Sequence, residues 1–214
     1  MTPDFTLIVS TLNWTTNTFC TFGSLTPNTT YHFRVKAKNQ FGVYTQEATT
    51  TALTNAKTPS NSPLLTAITS NVIKVAIDPA ENPEYTEYAV LIDTDTDSIP
   101  FNTAGYLWLD GTVSNTPCWQ TVSVWNNVLV INLFPNRIYY LKTKARSNTA
   151  IETEYSPMIS KYTLADLPIA KGISKTGPNS ICVNCFSKIV AVIYYSFPND
   201  AICRSFYCKF FHLV

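Results

Sequence analysis

From Tyr31 to Lys38 the chain alternates without a break: Tyr31, Phe33, Val35 and Ala37 share one parity, and His32, Arg34, Lys36 and Lys38 share the other. Successive side chains of a strand point to opposite faces, so this pattern predicts an amphipathic antiparallel strand, one face on a core and one in water. Pro27 and Asn28, just upstream, predict the turn that feeds it. The phrase returns as "LFPNRIYYLKTKARSN". Leu25 matches Leu133, Pro27 matches Pro135, Asn28 matches Asn136, Tyr31 matches Tyr139 and Ala37 matches Ala145, each pair 108 positions apart. Phe22 and Val130 keep the same offset. A period near ~100 residues is the size of a β-sandwich module. It excludes the short solenoid repeats of roughly 20–50 residues.

The repeated phrase, L-x-P-N-x-x-Y followed by alternating apolar residues and a closing Ala, resembles strands E to F of a fibronectin type III domain. The resemblance implies an all-β fold, a tandem of immunoglobulin-like sandwiches. Tyr31 and Tyr139 would be tyrosine corners, with the ring in the core and the hydroxyl bonded near the E–F turn. Residues 63–77 resemble strands A and B, with Ile73, Val75 and Ile77 inward. The family often places Trp at the last of these, so Ile77 is a departure. Residues 85–93 resemble strand C, with Tyr88, Val90 and Ile92 inward. "AGYLWLDG" resembles C′ and closes on an Asp-Gly turn. The E region would follow in "WQTVSVWNNVLVINL", then F at 137–147 and G at 152–164.

Three segments result. Residues 1–56 carry only the E–G half of a module, 57–166 a complete one, and 167–214 the start of a third followed by an irregular tail. In that third start, Pro168, Ile173, Ile181 and Val183 echo Pro63, Ile68, Ile73 and Val75. The chain is therefore expected to be a piece of a longer array. Half a sandwich bares an apolar face and open strand edges, so residues 1–56 should pack on the complete module, associate with other chains or stay partly disordered.

Composition supports this picture without sharpening it. Apolar residues make up 45% of the chain and charged ones only 14%, with Thr, Asn and Ser filling the polar positions as they do on the wet faces of strands. A net charge of +1 gives no reason to expect nucleic acid or an anionic membrane. The first residues lack the basic start and apolar run of a signal peptide, and no segment approaches the ~20 apolar residues of a membrane helix.

Candidate chemistry is sparse. Arg34, Lys36 and Lys38 form a basic stripe that Lys142, Lys144 and Arg146 repeat. The stripe suits an anionic polysaccharide unless Glu87 on the neighbouring strand and other acids neutralise it. Trp108, Trp119 and Trp125 form either a platform for sugar rings or part of the core. Asp93, Asp95 and Asp97 alternate as in a calcium loop, but Ser98 stands where such a loop has Gly and Ala104 where it has Glu, so a solvated turn is the better reading. Cys182-x2-Cys185 with Cys203-x4-Cys208 fits zinc poorly, because the second spacing is loose and the first pair falls on opposite strand faces. Cys20 and Cys118 have no obvious partner. Asn13-Trp-Thr and Asn28-Thr-Thr are glycosylation sequons. His32 and His212 are the two histidines, and no nucleophile–base arrangement or Gly-rich phosphate loop occurs.

No catalytic residue, metal or cofactor is therefore expected. The resemblance implies non-catalytic spacer or adhesion modules of a larger extracellular or cell-surface protein. Their partners would be other proteins or glycans and the neighbouring modules of the chain, with no nucleic acid and no membrane span. The rival readings are a carbohydrate-binding accessory module of a secreted glycan-degrading enzyme and a receptor-like ectodomain.

Overall fold

The computed structural model describes residues 8, 11, 13–94 and 101–167 with their side chains, and beyond them the backbone of strands at 169–177, 180–186, 191–192 and 207–208. It divides into two units, Met1–Ala165 and Asp166–Val214. In the first, β1 (Thr30–Val35) and β2 (Ala48–Leu53) pair antiparallel as a two-stranded sheet, with Phe33 opposite Thr50. The following strands are β3 (Leu64–Thr69), β4 (Val72–Ala76), β5 (Glu87–Asp93), β6 (Ala104–Leu107), β7 (Val113–Ser114) and β8 (Gln120–Thr121). A single helical turn, α1 (Val122–Trp125), precedes β9 (Leu129–Val130), β10 (Ile138–Arg146) and β11 (Ile159–Tyr162). In the second unit, β12 (Ile169–Gly177) pairs antiparallel with β13 (Ser180–Phe186), with Ile173 opposite Val183. There β14 (Ala191–Val192) pairs with β15 (Tyr207–Cys208).

Residues 57–165 form a sandwich. One sheet runs β3-β4-β9, and the other runs β11-β10-β5-β6-β7, with β8 paired to β5. Period-two alternation places the core where it should: Ile73 and Val75 of the first sheet, Ile77 just beyond β4, and Tyr88, Val90 and Ile92 of the second sheet are buried. Leu65, Leu107, Val130, Leu133, Tyr139, Leu141 and Ala145 belong to the same cluster. The hairpin from β6 to β7 turns at Asp110-Gly111. Gly111 sits at φ 82, where a Cβ would lie 2.2 Å from the Leu129 carbonyl oxygen, so only glycine fits that turn.

The E region differs from a plain strand. β9 covers two residues, with Val130 opposite Ile73. Upstream the chain coils through α1 so that Trp125 enters the core, its Nε1–H donating to the Tyr88 carbonyl at 2.8 Å. Asn126 N–H closes the turn on the Val122 carbonyl at 3.0 Å. Residues 13–29 contain no strand, so β1 and β2 are the strands found among the described residues before position 57. Val35 of β1 is 69% exposed, because no second sheet faces β1 and β2 among the described residues.

Two tyrosines tie strand to turn in the same way. Thr26 N–H donates to Tyr31 Oη and Phe134 N–H donates to Tyr139 Oη, both at 2.8 Å. Tyr139→Phe keeps the buried ring and loses that acceptor, so it is expected to cost about 1–2 kcal/mol in urea unfolding. A cost below a few tenths would show that the hydroxyl is idle. Thr143, on the core parity of β10, has a buried hydroxyl with no hydrogen-bond partner among the described residues. Thr143→Val, close in shape and free of that unpaired group, is expected to stabilise the module by about 1 kcal/mol, read from the same melts.

Candidate functional site

The most elaborate polar cluster lies where the turn ahead of β1 meets the sandwich of residues 57–165. Asn28, at φ 46, is a turn residue of the kind that tolerates the left-handed region. It is fully buried. Its Nδ2 donates to Thr86 Oγ1 at 2.9 Å, and its Oδ1 accepts Asn148 N–H at 2.8 Å. The Tyr85 phenol donates to the Asn28 carbonyl at 2.9 Å. Thr86 is buried too, just ahead of β5, while Asn148 belongs to the turn after β10. The turn ahead of β1 is thus plugged into a slot made by two turns of the sandwich.

A second clamp holds the linker. Asn82 Nδ2 donates to the Lys57 carbonyl at 2.8 Å and to the Pro79 carbonyl at 2.9 Å, while its Oδ1 accepts Lys57 N–H at 2.7 Å. Ala56, immediately before, is buried in the hydrophobic cluster of the complete module. The connection is therefore not a free tether.

Each basic residue of the two stripes has a partner. Arg34 and Lys36 pair with Glu47, and Lys38 lies over the Trp14 ring. Lys142 lies over Phe101. Arg146 binds Glu87, which faces it in register across β5, at 2.5 Å and stacks on Trp119 at 4.7 Å. Lys144 sits on the outer parity yet is buried. Tyr106, Trp119 and Tyr155 surround its ammonium at 5.2–5.4 Å, and Glu152 binds it at 2.5 Å. Burial disfavours that ammonium, but hydrogen bonds to Glu152 and Tyr106 outweigh it and lift the pKa above the usual lysine value.

The three indoles are not a row. Trp125 is in the core, Trp119 stacks on cations, and Trp108 is 41% exposed with its Nε1–H on the Thr116 carbonyl. Of the sequons, Asn13 is exposed, whereas the Asn28 amide is occupied inside the joint. Buried Asp93 accepts hydrogen bonds from Phe101 N–H and Thr103 Oγ1. Residues 95–100, with the other aspartates of that stretch, lie outside the described residues, as do the side chains of Cys182, Cys185, Cys203, Cys208 and His212. Cys20 and Cys118 are free thiols. His32 is exposed on β1, and no group of three or more His, Cys, Asp or Glu is close enough for a metal among the described residues. No helix among them is long and apolar enough to cross a membrane. The Asn28 joint was not visible in the sequence, because its partners lie 58 and 120 residues downstream.

A three-stranded sheet of β3, β4 and β9 faces one in which β11 pairs with β10 and β10 pairs with β5. With a tyrosine bonded back across the turn, this is an immunoglobulin-like sandwich of fibronectin type III topology. The class rests on that strand order. No family model and no curated protein matches the chain. Solved structures similar to it are fibronectin type III domains. One from human KIAA0970 is 19% identical, with 58% of this chain and 88% of that one covered and a TM-score of 0.36. The chicken CNTN1 FN1-FN3 crystal structure is 18% identical over 66% of this chain and 44% of that one, at 0.38. The fn3 domain of human contactin 1 is 17% identical over 59% and 89%, at 0.35.

Proposed function

We propose that this chain is a run of fibronectin type III-like modules, divided near residues 56 and 166, that works as a spacer or adhesion segment of a larger extracellular or cell-surface protein. It performs no catalysis of its own. Tyr31 and Tyr139 serve as its tyrosine corners. The observation that carries this reading is the joint at Asn28: a fully buried side chain spends both ends of its amide on holding one module against the next. A spacer needs that stiffness, because relative motion of neighbouring domains is the default when their interface is small and polar. Contacts with other molecules would fall to the loops at the sandwich ends.

The glycan reading needs several exposed rings in one plane, and of the three indoles only Trp108 is substantially exposed. The spacer reading is tested with Asn28→Gly, which keeps the positive φ and removes the amide. Leaving Thr86 Oγ1 and Asn148 N–H without partners is expected to cost about 1–2 kcal/mol and to speed exchange at the Asn148 amide roughly tenfold. Unchanged exchange, with the two parts already tumbling independently in the parent by NMR relaxation, would overturn it.

A further inference from the structure

Asn28 has a twin. Asn136, at the matching turn of the complete module, lies at φ 50 against φ 46 for Asn28. Asn28 N–H donates to the Asn55 carbonyl at 3.0 Å, and Asn136 N–H donates to the Leu164 carbonyl at 3.1 Å. A threonine braces each turn. Thr54 Oγ1 donates to the Thr26 carbonyl at 2.7 Å and accepts Thr29 N–H at 3.0 Å. Thr163 Oγ1 donates to the Phe134 carbonyl at 2.7 Å and accepts Arg137 N–H at 3.1 Å. The two frames agree bond for bond. They differ in one respect: Asn28 is buried in a slot, while Asn136 is exposed and its amide has no partner among the described residues.

We propose that Asn136 is a second plug and that the turn at 134–137 docks the slot-bearing end of a further module of this kind. The slot is defined by what holds Asn28. It needs a threonine hydroxyl to accept from Nδ2, a turn N–H to donate to Oδ1, and a tyrosine phenol for the carbonyl. Two occupants are ruled out by the same chemistry. A second copy of this chain has its slot filled by its own Asn28. The stretch after residue 166 carries no such pair, since at the 108-residue offset Tyr85 and Thr86 correspond to Ile193 and Tyr194. The occupant is therefore a module with a Tyr-Thr pair before its third strand. An array built this way is joined by one repeated contact.

This inference rests on the spacer reading, and the experiment separates their failures. A second copy of residues 57–165 is inserted between Ala165 and Asp166 of the full chain. Thr163-Leu164-Ala165 then meets Lys57 as Thr54-Asn55-Ala56 does in the parent. Hydrogen exchange is read at the Asn148 amide of both copies. The inserted copy's amide is expected to be as protected as the original's, and Asn136→Gly to speed its exchange roughly tenfold, as Asn28→Gly does at the original joint. If only the Asn28 substitution acts, the spacer reading stands and the second plug is wrong. If neither acts, both fall. Asn136→Asp, which keeps the Oδ1 acceptor and loses the Nδ2 donor, is expected to give partial protection. Protection equal to that of the unsubstituted insert would also overturn the proposed amide contact.

Discussion

Trp125→Ala is expected to lower the unfolding free energy of the complete module by about 3–5 kcal/mol, the range for deleting a buried aromatic side chain. The indole is fully buried within the cluster that includes Ile73, Tyr88 and Val130. It also provides the donor for the Tyr88 carbonyl, so its removal opens a cavity and leaves a buried acceptor unpaired. Trp125→Phe, which fills part of the volume without the N–H, should fall between the two. Trp108→Ala is the control, because that ring is 41% exposed and its donor reaches an exposed loop carbonyl. Guanidinium melts followed by far-UV circular dichroism avoid the fluorescence change that losing an indole brings. A loss under about 1 kcal/mol for Trp125→Ala would mean that the core packs without it.

Much of the sandwich is legible in the sequence, because strand faces follow from counting by two. Ile73, Val75 and Ile77, and Tyr88, Val90 and Ile92, show their direction by parity alone, and all six are buried. Repetition at 108 residues locates the turns at Asn28 and Asn136 equally well. What parity cannot show is what covers a face. Lys144 lies on the outer parity, yet Tyr106, Trp119 and Tyr155 arrive from other strands and turns to bury it. Trp125 escapes the same logic, since a helical turn interrupts the alternation that carries it and swings the ring inward. Asn28 is the clearest case. A Pro-Asn pair reads as a local turn, and nothing nearby signals that its side chain is spent on Thr86 and Asn148.

Raising the pH above 10 is expected to unfold the module progressively, and Tyr88 should account for about 2–3 kcal/mol of the loss by pH 12. Burial pushes its phenol from the ordinary 10 up to about 12. The Asn82 hydrogen bond opposes that rise and the Asp78 charge adds to it. The neutral hydroxyl donates to the Pro79 carbonyl at 2.7 Å, a bond the phenolate cannot make. Between pH 10 and 12 the folded state therefore holds a proton that the unfolded chain has released, and stability falls as pH rises. Below 10 both states are protonated and the contribution is complete. Tyr139, Tyr155 and Lys144 are shifted upward as well and add slopes of the same sign, so the informative quantity is the difference between parent and Tyr88→Phe. At neutral pH that variant gives up one hydrogen bond, about 1 kcal/mol. Toward pH 12 its urea midpoint should overtake the parent's, because it carries no phenol to ionise. Parallel curves for the two proteins from pH 9 to 12 would show that Tyr88 ionises as freely in the fold as out of it.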